Sequence, residues 1–430
     1  MKTSAISFLF FAAAFAVPAS RAAVPSVSGV TIAQDPLSRA VTVAYTLADA
    51  PAIVTLDICT NGVSIGPENV WAVEGDVNKL VQEGARTIVW HPDKSWPDRS
   101  FGAGVVSARV TAWNENDPPM YLSADLVTGA ISYYTCAEAV PGGVQDILYK
   151  TTSVLMRRIY ARDKAFAMGS PSDEPGRWSS DKRETQHEVA FDHDYYIGVY
   201  EVTQQQYMQL ASAWPAYHSN AEWRATRPVE NISFTTIRGN GTYYPDSPLD
   251  TSFLGLLRTK TGLAFDLPGC AQWEYAAKAG NGDGKWGDGT PISAALSGAG
   301  DKKDFKDATY NSLGRNAYNN AMGSYSSAAS TGLSTTSQDV DTTCGTAAVG
   351  SFPPNSWGLY DMHGNVYEVC ADPYDVNNGY GETPVSGTGN RVRKGGSFQR
   401  GPFRHRAAYQ LAWDGSKGQD TGVRLAITLE

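Results

Sequence analysis

The chain has 430 residues, of which 42% are hydrophobic, 11% aromatic and 18% charged. That balance excludes a disordered protein, and the length leaves room for two or three domains with cores of their own. The net charge of −9 provides no basic footprint for nucleic acid and no attraction to anionic membranes.

At the start, Lys2 precedes an apolar run from Ile6 to Val17, and small residues follow at Ala19, Ala22 and Ala23. This is the order of a secretory signal, so residues 1–22 are expected to be removed and the mature chain to begin near Ala23. The run is too short for a lasting anchor, and no membrane span is expected. A secreted, periplasmic or cell-surface location follows. Export makes Cys59, Cys136, Cys270, Cys344 and Cys370 candidates for disulfides, with one left over. Buried free thiols are the alternative. With no CxxC pair, neither a zinc ribbon nor a thioredoxin-like redox site is expected.

From Val27 to Trp113 the apolar period is two. Val41, Val43, Tyr45 and Leu47 alternate with other residues, as do Val54, Leu56 and Ile58, and then Val106, Ala108, Val110 and Ala112. One buried face per strand predicts an immunoglobulin-like β-sandwich over 24–115, with Asn61-Gly62 as a turn. The polar, Pro-rich stretch Asn114–Pro119 marks a boundary, and 116–154 is expected to be a linker and strand-rich lead-in.

Helices and long loops are expected from there. Thr203 and Gln206 form a capping box, with Val202 and Tyr207 placed as a hydrophobic staple. A second helix starts at Thr251 or Ser252, carries Phe253, Leu254, Leu256 and Leu257, and stops at Gly262. A third follows Pro268, buries Trp273 with Ala276 or Ala277, and ends at Lys278 before Gly280. Residues 281–346 read as long irregular loops of the kind a ligand or ion holds.

Among the six histidines there is no HExxH and no pair four apart on a helix, so a histidine-built metal centre has little support. Serine-hydrolase and NTPase motifs are missing, and a dinucleotide site is not expected. The densest segment is Trp357–Glu368. There Asp361 and Glu368 flank a turn at Gly364 and Asn365, where backbone carbonyls could point inward with the carboxylates. Several hard oxygens from one tight loop suit Ca²⁺. On spacing alone, a turn in which Asp361 caps amides and Glu368 is solvated is the favoured reading.

An ordered series of blocks then points further: Phe166–Ser170, Tyr196–Thr203, Arg227–Ser233, Phe265–Ala277, Val349–Asn355, Gly358–Glu368, Lys394–Phe398 and Gly422–Ala426. Over about 155–428 this resembles the formylglycine-generating enzyme (sulfatase-modifying factor) family. The resemblance implies an α+β domain over 155–430, related to C-type-lectin-like folds and poor in regular secondary structure. It also implies a structural calcium held by Asp361, Gly364, Val366 and Glu368; a second calcium site cannot be placed in the divergent 281–346 region. Oxidase members hold copper through two cysteines shortly after the Gly-Gly-Ser block. Here Gly395–Gln410 contains none, so copper is not expected and no catalytic residue is assigned. Ser397 matches an active-site serine of the family but has no base beside it. The resulting expectation is a calcium-stabilised binding or structural module, gripping a glycan or protein through loops rich in Trp, Tyr, Asn and Gly. The alternative is an oxidase that makes formylglycine, or performs another oxidation, with unorthodox ligands.

Overall fold

The computed structural model describes residues 24–49, 51–97, 99, 101, 105–296, 308–317, 319 and 345–430. The expected leader and Cys344 lie outside them.

The N-terminal part carries strands β1 (Ser26–Gln34), β2 (Val41–Ala48), β3 (Ala52–Thr60), β4 (Val63–Ser64), β5 (Val73–Gly75), β6 (Lys79–Val81) and β7 (Gly84–Trp90). A short helix α1 (Pro92–Ser95) and strand β8 (Val106–Trp113) follow. One sheet runs β1-β2-β7-β5; the other runs β4-β3-β6, with β8 also on β3. Val41, Val43, Tyr45 and Leu47 are buried while their neighbours in β2 are more exposed, as period two requires. They share one core with Val54, Ile58, Ile88 and Trp90 from both sheets. Asn61 and Gly62 both have positive φ, 50° and 79°, which closes the β3–β4 hairpin.

Next come β9 (Tyr121–Asp125), β10 (Ile131–Tyr134), β11 (Ser153–Ile159), β12 (Lys164–Met168), β13 (His187–Phe191) and β14 (Tyr195–Gly198). The helices α2 (Gln204–Ala211), α3 (Phe234–Arg238), α4 (Phe253–Thr261), α5 (Cys270–Lys278) and α6 (Ala308–Leu313) follow. The last strands are β15 (Tyr367–Pro373), β16 (Arg391–Lys394), β17 (Leu411–Trp413), β18 (Thr421–Gly422) and β19 (Ala426–Thr428). The central sheet has the order β10-β9-β11-β14-β19, so the strand-rich lead-in is built into it. A second sheet, β17-β16-β15-β18, supplies the strand that leaves the Asp361 loop. The architecture is sheet-rich and helix-poor; the α+β class is as expected, while the sheets are more extensive than the expected scarcity of regular structure.

All three helix readings hold because their signals are local. Thr203 and Gln206 form the reciprocal capping box of α2, and Val202 and Tyr207 lie in one core cluster. Ser252 caps α4, which ends at Gly262 in the left-handed conformation. α5 buries Trp273, Ala276 and Ala277 and ends at Lys278. Among the described residues no helix is long and apolar enough to cross a membrane.

Candidate metal centre

The loop from Asp361 to Glu368 is wound tightly. Asp361 and Asn365 have φ of 60° and 69°, and Gly364 has φ 146°. A Cβ on Gly364 would lie 2.4 Å from the Arg315 carbonyl oxygen, so only glycine lets the loop approach that close. Asn365 locks the turn: its N–H donates to Arg315 O (2.8 Å), its Nδ2 to Glu201 Oε2 (2.6 Å), and its Oδ1 accepts from Ala347 N (2.8 Å).

Of the four residues assigned to calcium, Asp361, Gly364 and Val366 stand on the loop and Glu368 on the strand β15 that leaves it, and all are buried. Their carboxylates are used differently. Glu368 accepts a fork from Arg424, Nη2 to Oε1 at 2.6 Å and Nε to Oε2 at 2.7 Å, and also accepts Trp273 Nε1 at 2.5 Å. It is not solvated, so the plain-turn alternative fails for this residue. Asp361 Oδ2 accepts Gly350 N–H at 2.7 Å, while its Oδ1 is buried with no hydrogen-bond partner. Such an orphaned oxygen costs free energy unless something else satisfies it.

A third carboxylate, Glu201, is fully buried beside them and accepts Val366 N–H at 3.1 Å. Burial pushes Glu201 well above the ordinary carboxylate range, helped by Asp361 and Glu368. Burial likewise raises Asp361 to about 6, against the Gly350 amide and Arg424. Three interacting carboxylates thus face one fully buried guanidinium, Arg424, with half-buried Lys150 farther out. A divalent cation would balance that surplus, and Asp361 Oδ1 is the oxygen placed to take it. Among the described residues no three His, Cys, Asp or Glu side chains gather as a cage, so backbone oxygens would have to complete the shell.

Glu201 and Arg424 were missed as members of this site. Both lie in the quoted sequence blocks, Tyr196–Thr203 and Gly422–Ala426, but nothing local in either block announces the contact.

The Gly395–Gln410 stretch is committed to internal bonds. Ser397 Oγ donates to Asp420 at 3.4 Å, and Arg404 donates to Tyr409 Oη at 3.0 Å. The His405 ring nitrogens meet Gly401 O and Ser397 O. His363 accepts Gly287 N–H through Nε2 at 2.9 Å and meets His405 O through Nδ1 at 2.8 Å. Burial lowers its pKa, so it stays neutral. These are hydrogen-bonded structural histidines, as expected. A Gly282-x-Gly284-x-x-Gly287 spacing does occur. It follows α5 rather than a strand, which is the wrong context for a dinucleotide loop. A cleft of about 340 Å³, lined by His193, Tyr244, Arg258, Asp266, Glu382 and Thr428, includes none of Asp361, Gly364, Val366 and Glu368.

Comparison with known proteins adds the following. The sequence profile described as "Sulfatase-modifying factor enzyme 1-like domain" matches residues 165–429. The formylglycine-generating enzyme of Mus musculus is 48% identical over 59 residues, 13% of this chain and 16% of that protein. That of Thermomonospora curvata is 44% identical over 63 residues, 13% and 20% respectively. The matches thus span a fifth or less of these curated relatives. Among solved structures, PvdO from Pseudomonas aeruginosa is 22% identical, covering 63% of this chain and 93% of its own, with a TM-score of 0.44. Treponema denticola variable protein 1 is 20% identical, covering 64% and 95%, with a TM-score of 0.45.

Proposed function

Because this chain belongs to the sulfatase-modifying factor enzyme 1-like family through residues 165–429, we propose that it is an exported, calcium-stabilised binding or structural module of that family, without the copper oxidase centre. The cysteine-free Gly395–Gln410 stretch carries this reading. Copper(I) activation there would need soft thiolates, and the positions hold Gln399, Arg400, Phe403, Arg404 and His405 instead. Cys270 and Cys370 do meet in the fold, but both are fully buried. Burial holds the Cys370 thiol well above its ordinary range, in the protonated form that binds copper poorly. In this reading residues 24–115 are an immunoglobulin-like accessory module, and lectin-like loops of the second unit take a glycan or protein ligand.

Asp361 and Glu368, with carbonyls of Gly364 and Val366, would hold the calcium. The ion would supply charge balance for Glu201, Asp361 and Glu368 rather than chemistry. Chelator should then lower the melting temperature and added Ca²⁺ restore it by mass action. Asp361→Ala should abolish that response, and a melting curve indifferent to both additions sinks the metal site. The second test incubates the protein with Cu(I) and a cysteine-containing sulfatase peptide. No mass loss at the cysteine is expected. Conversion that disappears in Cys270→Ser or Cys370→Ser would replace the binding reading with the oxidase.

A further inference from the structure

Among the described cysteines, Cys59 is buried in β3 and Cys136 is partly buried in the lead-in. Cys270 and Cys370 are different. Both are fully buried in the same core cluster. Cys270 opens α5 and Cys370 sits within β15, and the two backbones run side by side at this point. Ala371 N–H donates to Pro268 O at 2.9 Å, and Cys270 N–H donates to Asp372 Oδ2 at 2.6 Å. In the structure both are free thiols; Cys370 lies within interaction reach of Cys270, whose thiol reaches Gln410 Oε1 at 3.9 Å.

We propose that Cys270 and Cys370 are joined as a disulfide in the mature protein, stapling the start of α5 to the strand that leaves the Asp361–Glu368 loop. This rests on the export reading, which provides an oxidising compartment. The bond would close a loop of about a hundred residues, the size for which restricting the unfolded chain matters most. That loop contains the 281–346 stretch, whose sequence reads as long irregular loops. Little is lost on oxidation, because the thiols give up only weak S–H bonds. Lys394, near both sulfurs, keeps its ion pair with Glu274 at 3.0 Å. Both sulfurs are inaccessible once folded, so the bond forms while the chain is still open. A small disulfide such as oxidised glutathione is attacked by one thiolate to give a mixed disulfide. The second thiolate then displaces glutathione, so the two cysteines lose two electrons and two protons, and the oxidant leaves as two thiols.

The test refolds the full chain from denaturant in a glutathione redox buffer and, in parallel, in excess dithiothreitol. Each sample is denatured again, alkylated, digested and examined by mass spectrometry. The oxidised sample should contain the Cys270 and Cys370 peptides joined and lighter by two hydrogens than their sum. It should melt several degrees above the reduced one. A Cys59→Ala, Cys136→Ala double variant should keep the cross-link. Alkyl label on Cys270 and Cys370 in the oxidised sample, their linkage to other cysteines, or equal melting of the two samples would each overturn the proposal. Because oxidation is imposed in vitro, this result stands apart from export, which the N-terminus of the natural product reports.

Discussion

Asp372 carries a charge in a place water cannot reach. It is fully buried, and its oxygens accept Cys270 N–H and Val385 N–H, each at 2.6 Å. Burial outweighs those amides and the nearby Arg391, raising its pKa from 3.8 to about 6. A carboxyl whose folded pKa is raised stabilises the fold fully below its unfolded pKa, and that contribution is lost as pH rises through the folded value. Stability from this group should therefore fall between about pH 4 and 6 by on the order of 3 kcal/mol, then level off. Urea denaturation across that window should show a shallower slope in Asp372→Asn, which cannot ionise. A variant with the same slope as the parent would refute the assignment. The fully buried arginines act at this scale too. Arg424 alone reaches Gly198 O, Tyr360 O and Glu368, and Arg406 holds both Glu174 and Glu184. A lysine has no planar fork to span such sites.

Among the elements, α4 shows tertiary packing overruling propensity. Gly255 in its first turn would ordinarily gain from replacement by alanine. Here a Cβ would lie 1.9 Å from Leu249 O and 2.6 Å from Asp250 Cα, both backbone atoms that cannot swing aside. Gly255→Ala should therefore destabilise by about 1–3 kcal/mol, the cost of overpacking, and a stabilised variant in urea titration would contradict it. The same contrast explains what could be read in advance. Thr203, Gln206, Ser252, Gly262 and Lys278 signal within one or two turns, so the helices were legible. β14 is buried on both faces, and β15 nearly so, which leaves no alternation to read. Asp361 and Glu368 were legible from one short block. Glu201 lies 164 residues before the Asn365 it contacts, and Arg424 lies 56 residues from Glu368, separations that only the fold closes.

At the scale of the molecule, the first question is where the mature chain begins. On Lys2, the Ile6–Val17 run and Ala19/Ala22, we propose cleavage between Ala19 and Ala23. N-terminal sequencing of folded protein from the producing cell should find a start in that window, and an intact Met1 would refute export through this signal. The architecture bears on the timing of any such journey. β19 pairs with β14, Ala426 bridges Asp266, and Arg424 closes on Glu368. One short segment near residue 425 thus joins parts of the chain made long before it. Until the ribosome has released that segment, the central sheet lacks an edge and Glu368 lacks its fork. In a nascent chain halted at residue 400, β14 would still lack its partner β19 and Glu368 its guanidinium, so these contacts would be among the last to close.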